Sequence, residues 1–237
     1  TNQVDYFVVS RTMGSYSLGI YSKAYQLMTV PANLFGQVLD QVFFPAMSKI
    51  HDDNNRLSDI YILATALLAI IYIPLGSGLY LFSNEIIFIL LGSEWIESAI
   101  PLSILSLSLF FRVGYKINDP LFRAKGAVYK RASIHFVHAI LTLIASFIGA
   151  YWGLIGVAIG IAISLVLNYF IITISTYGLI KFNIYLYIRC IFPIILFGGL
   201  IIAVTSQIII MFQNHSPVFI FISKFIVYVL ILVITIL

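Results

Sequence analysis

Runs of about twenty apolar residues, one after another from end to end, dominate this sequence. A helix crossing a hydrocarbon core needs about 20 such residues. Lipid leaves backbone N–H and C=O groups without partners, so a run of this length must pair its own backbone groups as a helix. Strand-like alternation is absent and the runs are too long for barrel strands. Seven spans are expected, at approximately Leu18–Ser48, Ile60–Phe82, Ala99–Lys125, Ser133–Tyr151, Leu154–Ile180, Ile188–Phe212 and Val218–Leu237. The segment Ser83–Leu91 is too short to cross and is expected to lie at the interface or re-enter. The fold class is all-α, a polytopic transmembrane helix bundle. Composition excludes a soluble domain: charged residues make up 9% of the 237, against roughly a quarter in ordinary soluble proteins.

The polar punctuation sets the orientation. With alternating loops, one side collects Lys49, Arg56, Arg123, Lys125, Lys130, Arg131, Lys181 and Arg189, while the other holds only Arg11, Lys23 and Lys224. The first side is therefore expected to be cytoplasmic. This topology signal also accounts for the net charge of +4, without a basic-aromatic groove for nucleic acid. Residues Val4–Val9 read as the tail of a helix whose beginning lies outside the chain, and Val218–Leu237 stops within apolar sequence, so a fragment of a longer protein is expected. The lone Cys190 reads as a structural thiol. No phosphate loop, nucleophile elbow, dinucleotide fingerprint or zinc motif occurs. Neither catalysis nor a cofactor is expected.

Ionisable residues at membrane depth carry the functional expectation, because each costs about 2.5–3.5 kcal/mol near a helix centre unless it faces water, protein or a counter-ion. In the third span Arg112, Lys116, Asp119 and Arg123 are spaced i, i+4, i+7, i+11 and fall on one face at about 100° per residue. That face is expected to look inward. It is either a salt-bridge ladder from Lys116 through Asp119 to Arg123, or an anion-attracting stripe; the surplus of cations favours the stripe. Pro120, lacking an N–H, is expected to kink the span. In the first span Lys23, Gln26, Asn33, Gln37, Asp40 and Gln41 cluster on one side of a helix interrupted by Pro31. Asp40 reads as a partner for a cation of the third span, with a proton- or cation-coupling role as the alternative. His135 and His138, spaced i, i+3, lack the further ligands a metal site needs and read as interfacial packing. Gly156, Gly160 and Ser164 give the small-residue spacing that lets helices approach closely.

The segments Val4-Asp5-Tyr6-Phe7-Val8-Val9-Ser10-Arg11, Met13-Gly14, Leu18 to Leu27 and Pro31 resemble the bacterial polysaccharide flippases, as do Phe43 to Lys49, Leu91 to Trp95 and Trp152 to Ala158. The resemblance is to the Wzx-type lipopolysaccharide or colanic-acid exporter branch of the multidrug/oligosaccharidyl-lipid/polysaccharide flippase superfamily, in its C-terminal half. It implies one lobe of a two-lobe, MATE-like flippase fold with two extra C-terminal helices. Residues 1–14 would end a truncated helix, 15–180 would form the lobe, and 181–237 would be the additional helices. It further implies a multi-pass protein of the bacterial inner (cytoplasmic) membrane. The protein would carry an undecaprenyl-diphosphate-linked oligosaccharide between leaflets by rocking its lobes, with an N-terminal lobe and a polysaccharide polymerase as partners. Arg11 and Lys23 would sit near the periplasmic end of the cavity and Arg112 and Lys116 deeper; from the residues alone, Asn33 and Gln37 either line the path or hydrogen-bond neighbouring helices, and Asp40 and Asp119 are coupling or charge partners. The alternatives are a drug or cation antiporter of the same superfamily, which calls for more carboxylates, and a scaffold subunit of an assembly complex.

Overall fold

The computed structural model describes the backbone of residues 4–211 and 217–236, with side chains outside 34–40, 208–220 and 232–237. Within these limits every element is helical. The order is α1 (Val4–Val38), a π-helical turn (Leu39–Phe43), α2 (Phe44–Lys49), α3 (Asn54–Leu81), α4 (Ser83–Leu91), a 3₁₀ turn (Ser93–Ser98), α5 (Ala99–Ser106), α6 (Leu109–Gly114), a 3₁₀ turn (Tyr115–Ile117), α7 (Asn118–Ala124), α8 (Val128–Ala150), α9 (Gly153–Ile180), α10 (Ile184–Met211) and α11 (Pro217–Ile236). Helices α3, α8, α9 and residues 184–207 of α10 are each long and apolar enough to cross a membrane, and the bent stretch 93–124 adds a fifth span. The expected first span is helical, but part of it lies outside the described side chains, as does much of Val218–Leu237.

Two breaks shape the site. Gly14, at φ +83 and ψ 179, divides α1 into an arm of residues 4–13 and a main helix from 15 onward. A Cβ there would meet nothing within 4 Å, so the glycine serves its left-handed backbone and not a close contact. The arm packs back on the main helix: Tyr21 donates a 3.0 Å hydrogen bond to the Asp5 carboxylate, and Tyr6 meets Tyr21 and Tyr25 edge-on.

The second break corrects the expected kink. The third span bends by 61° between Ser106 and Leu109, about three turns before Pro120. Here Ser106 and Ser108 turn their hydroxyls back onto the carbonyls of Ser103 and Leu105, at 2.6 and 2.7 Å. Such local bonds compete with the helical ladder and bend it. Pro120 lies in the first turn of α7, where a missing N–H costs little; its trace is the 3₁₀ turn Tyr115–Ile117 just upstream.

The core gathers around α3, α5, α6 and α9, with fully buried Tyr21, Tyr61, Leu68, Leu105, Leu109 and Phe122. Asp53 caps α3, its carboxylate accepting from the Asn55 and Arg56 amides at 3.1 Å each. Helices α10 and α11 join at their own contacts. In α10, Tyr187 shares a short hydroxyl–hydroxyl bond with Tyr169 of α9 and stacks on Tyr61. In α11, Lys224 pairs with Glu85 of α4 at 2.9 Å and donates to the Leu81 carbonyl at 3.3 Å. Glu85 is therefore engaged by α11, and α4 is tied to the bundle. Because the Lys224 side chain is only 10% exposed and that of Glu85 25%, Lys224→Met leaves a largely buried carboxylate alone. It is expected to cost about 1–3 kcal/mol, read as a lower thermal midpoint; the double variant with Glu85→Gln should recover most of it.

Candidate functional site

The bent third span delivers its charged residues beside α1 and α8. Downstream of the break, α6 runs along α1, and Arg112 on it is only 6% exposed. Its guanidinium donates to the Tyr25 hydroxyl at 2.8 Å and lies 4.7 Å over the Tyr25 ring. The inward orientation expected of Arg112 is what the structure has, but the residue is boxed in by protein and does not line an open surface. One turn on, Lys116 is half-buried and reaches α1, donating to the Ala32 carbonyl at 3.1 Å and the Asn33 side chain at 3.4 Å. Asn33 itself is exposed. The neighbouring Pro31 carbonyl accepts from Tyr72 of α3 at 2.9 Å. Pro31 removes a helix donor, and side chains from two other elements brace this stretch of α1.

Asp119 turns away from the expected ladder toward α8. Arg131 donates to it at 2.7 Å, and His135 Nε2 stands 3.4 Å from the same oxygen. This pairing takes Asp119 out of the ladder that was the less favoured reading of the face. His135 is accordingly tied to a carboxylate, beyond the packing role expected for it. Arg123 lies 4.4 Å over the ring of Phe44 on α2. Lys116, Asp119, Arg123, Arg131 and His135 are each partly exposed. With exposed Gln26 and Asn33 on α1, they make a polar group that is net cationic among the described residues, while the spanning helices α3, α8, α9 and α10 expose mostly isoleucine, leucine and phenylalanine.

The other sequence candidates are elsewhere. Lys23 sits with its ammonium 5.2 Å over the Trp95 ring, and Arg11 is exposed on the arm. Ten residues of helix, about 15 Å, separate Lys23 from Asn33. Gln37 and Asp40 lie outside the described side chains. Among the described residues no three His, Cys, Asp or Glu side chains converge as metal ligands. Arg131 and His135 were missed because they belong to a different helix. The signal available was their i, i+4 spacing, which puts both on one side of α8 opposite a lone carboxylate. Asp5 was missed too, although a single carboxylate in the apolar run Val4–Val9 demands a partner.

Residues 1–100 match the family described as "Polysaccharide biosynthesis protein". The lipopolysaccharide biosynthesis protein WzxC of Escherichia coli is 31% identical over 171 residues, 69% of this chain and 34% of that protein. The teichuronic acid biosynthesis protein TuaB of Bacillus subtilis is 29% identical over 123 residues, 52% of this chain and 26% of that protein. The chain thus spans about a third of the length of the curated relatives it matches. Among solved structures, the lipid II flippase MurJ in an inward closed conformation superposes with a TM-score of 0.72 at 20% identity, over 98% of this chain and 48% of that one. The chain is similar over part of its length to bacterial polysaccharide-biosynthesis proteins, and it has the fold of about half of a lipid flippase.

Proposed function

We propose that this chain is one lobe of a flippase. It carries an undecaprenyl-diphosphate-linked oligosaccharide from the cytoplasmic to the periplasmic leaflet of the bacterial inner membrane, for surface polysaccharide synthesis. The observation that carries the reading is the partly exposed cluster of Lys116, Arg123 and Arg131 beside spanning helices whose exposed residues are mostly apolar. A diphosphate is recognised by such groups, Lys as a compact charge and Arg as a planar fork, while the amides of Asn33 and Gln26 suit sugar hydroxyls. The lobe's broken span and its π-helical turn are the irregular backbone that carriers place along their cavities. A second lobe faces this one in the working protein, and a polymerase receives the product. Arg112, being buried, supports the face from behind; Arg11 and Lys23 sit apart from it along α1. A carboxylate-rich face would favour the drug or cation antiporter, and Asp119 is already engaged by Arg131.

The test uses the full-length protein in its own cells. A charge-assisted hydrogen bond contributes about 1.5–3 kcal/mol, so Lys116→Gln is expected to lower surface polysaccharide by tenfold or more while membrane levels of the protein stay unchanged. Unchanged export would make the face structural, as in an assembly scaffold.

A further inference from the structure

A second group of cations sits at the end of the bundle where α8 begins, α9 ends and α10 begins, the end expected to be cytoplasmic: Lys130, Lys181 and Arg189. All three are exposed. Lys130 leans across to α9, donating to the Ser175 carbonyl at 3.3 Å, and a Cβ on Gly178 would stand 3.6 Å from its ammonium. Less than one turn further on, Lys181 closes α9 with a left-handed backbone at φ 49, its amide donating to the Tyr177 carbonyl at 2.8 Å. The next residue, Phe182, is buried among Tyr61, Tyr177 and Tyr187. The Asn183 side chain then accepts the Leu186 amide at 3.1 Å and starts α10. The linker is held by a buried plug and a cap, and it displays Lys181 outward.

Arg189 is set differently. It lies five residues into α10, about 8 Å along the helix from its start, within a stretch long and apolar enough to cross a membrane. Tyr185, Ile188 and Phe192 share its side of the helix and are exposed. A cation on a lipid-facing side needs an anion or water at its head, which a long stem reaches by turning back to the interface. Among the described residues no carboxylate serves. Lys181 and Arg189 make no ion pair or side-chain hydrogen bond there, and Lys130 meets a neutral carbonyl. Asp119 is held by Arg131, and Glu85 by Lys224. Residues 120–237 contain no Asp or Glu, while seven Lys and Arg lie among them. Tyr129 and Tyr185 flank the cations at 90% and 71% exposed, as aromatics at a headgroup layer do. A surface this one-sided in charge is complementary to an anionic bilayer.

We propose that Lys130, Lys181 and Arg189 bind the phosphodiester headgroups of anionic phospholipids, with the Arg189 guanidinium on a lipid phosphate next to Tyr185. The guanidinium donates to phosphate oxygens as a planar fork, and each lysine adds a compact charge. The lipid chains run along Ile188 and Phe192. Through the fixed linker, the contact sets the depth of α9 and α10 in the bilayer. It does not depend on what the cluster around Lys116 carries.

The experiment places p-benzoylphenylalanine at position 185 of the full-length protein, in nanodiscs of phosphatidylcholine with phosphatidylglycerol of the same chains as the minor lipid. Mass spectrometry after illumination reads which lipid stands there. A cation near an anionic surface is worth about fivefold in affinity, so phosphatidylglycerol is expected to be enriched at position 185 about fivefold or more over the disc. Neutralising the three cations together (Lys130→Gln, Lys181→Gln and Arg189→Gln) should bring the ratio to within about twofold of the disc. Being exposed, these changes should leave the elution profile and the thermal midpoint in pure phosphatidylcholine near the native values. Arg56→Gln, at an exposed cation paired with Asp53, should leave the enrichment as it is. No enrichment in the native protein, or enrichment retained by the triple variant, would overturn the proposal. So would a crosslink to protein, which would make this face a contact with the other lobe or a second copy. A crosslink to co-purified polyprenyl phosphate would also overturn it, by making the face part of the cargo path.

Discussion

Gly156→Leu is expected to remove most of the folded protein. Helices α8 and α9 form the most extensive helix pair, and their backbones are in contact. A Cβ on Gly156 would overlap the Gly149 carbonyl oxygen and stand 2.8 Å from Trp152 Cβ; one on Gly149 would overlap the Gly156 carbonyl in return. Four residues on, a Cβ at Gly160 would lie 2.5 Å from the Ala145 carbonyl. These neighbours are main chain, so relief requires separating the helix axes. Overpacking of side chains costs about 1–3 kcal/mol, and separating two backbones undoes contact along several turns, so a loss above about 3 kcal/mol is expected. In lipid there is little hydrophobic drive to hold the pair together once close packing is lost. The measurement is the thermal midpoint and the monodisperse yield after extraction. Gly178→Ala on the same helix is the control. Its Cβ would meet only the Lys130 ammonium at 3.6 Å, and no more than about 0.5 kcal/mol of change is expected.

That contact was legible in the sequence, where Gly156, Gly160 and Ser164 announce close approach. The apolar runs announced the helices for an equally local reason, since a run of this length in lipid has one way to pair its backbone. The bend of the third span was not legible at its true place. Proline advertises a lost donor, whereas Ser106 and Ser108 bend the chain through a choice of partner that sequence leaves open. The charged stripe was half legible. Spacing showed that Arg112, Lys116, Asp119 and Arg123 share a direction, and burial in lipid required that direction to be inward. Which helix each would meet depends on packing, and so Arg112 went to Tyr25, Lys116 to α1 and Asp119 to α8. The comparison with intramembrane charges in general favours function, but the structure separates a buried Arg112 from a partly exposed Lys116, a distinction that spacing on a helical wheel does not contain.

This separation makes opposite predictions for two neighbouring cations. Arg112→Met keeps the length of the side chain and its apolar stem but removes the charge. Tyr25 then loses a donor and the ring loses the cation above it, worth about 2 kcal/mol when desolvated. The nearby Asp5 carboxylate, 1% exposed and hydrogen-bonded by the Tyr21 hydroxyl, loses a neighbouring positive charge. Asp5 and Arg112 line one cavity without forming an ion pair, so the buried carboxylate left without that nearby charge adds about 1–3 kcal/mol. Arg112→Met should therefore lower the thermal midpoint and the amount of protein in the membrane, and any fall in polysaccharide export should track that amount. The rescue follows from the same cause: adding Asp5→Asn removes the stranded charge, and the double variant should regain at least half of the lost stability. Lys116→Gln should do the reverse, leaving abundance intact while export falls, since its side chain is partly exposed and donates to the neutral oxygens of Ala32 and Asn33. Measuring abundance and export side by side for both variants decides the matter. If Arg112→Met lowers export at full abundance, the guanidinium reaches the cargo and the box around it must open during transport.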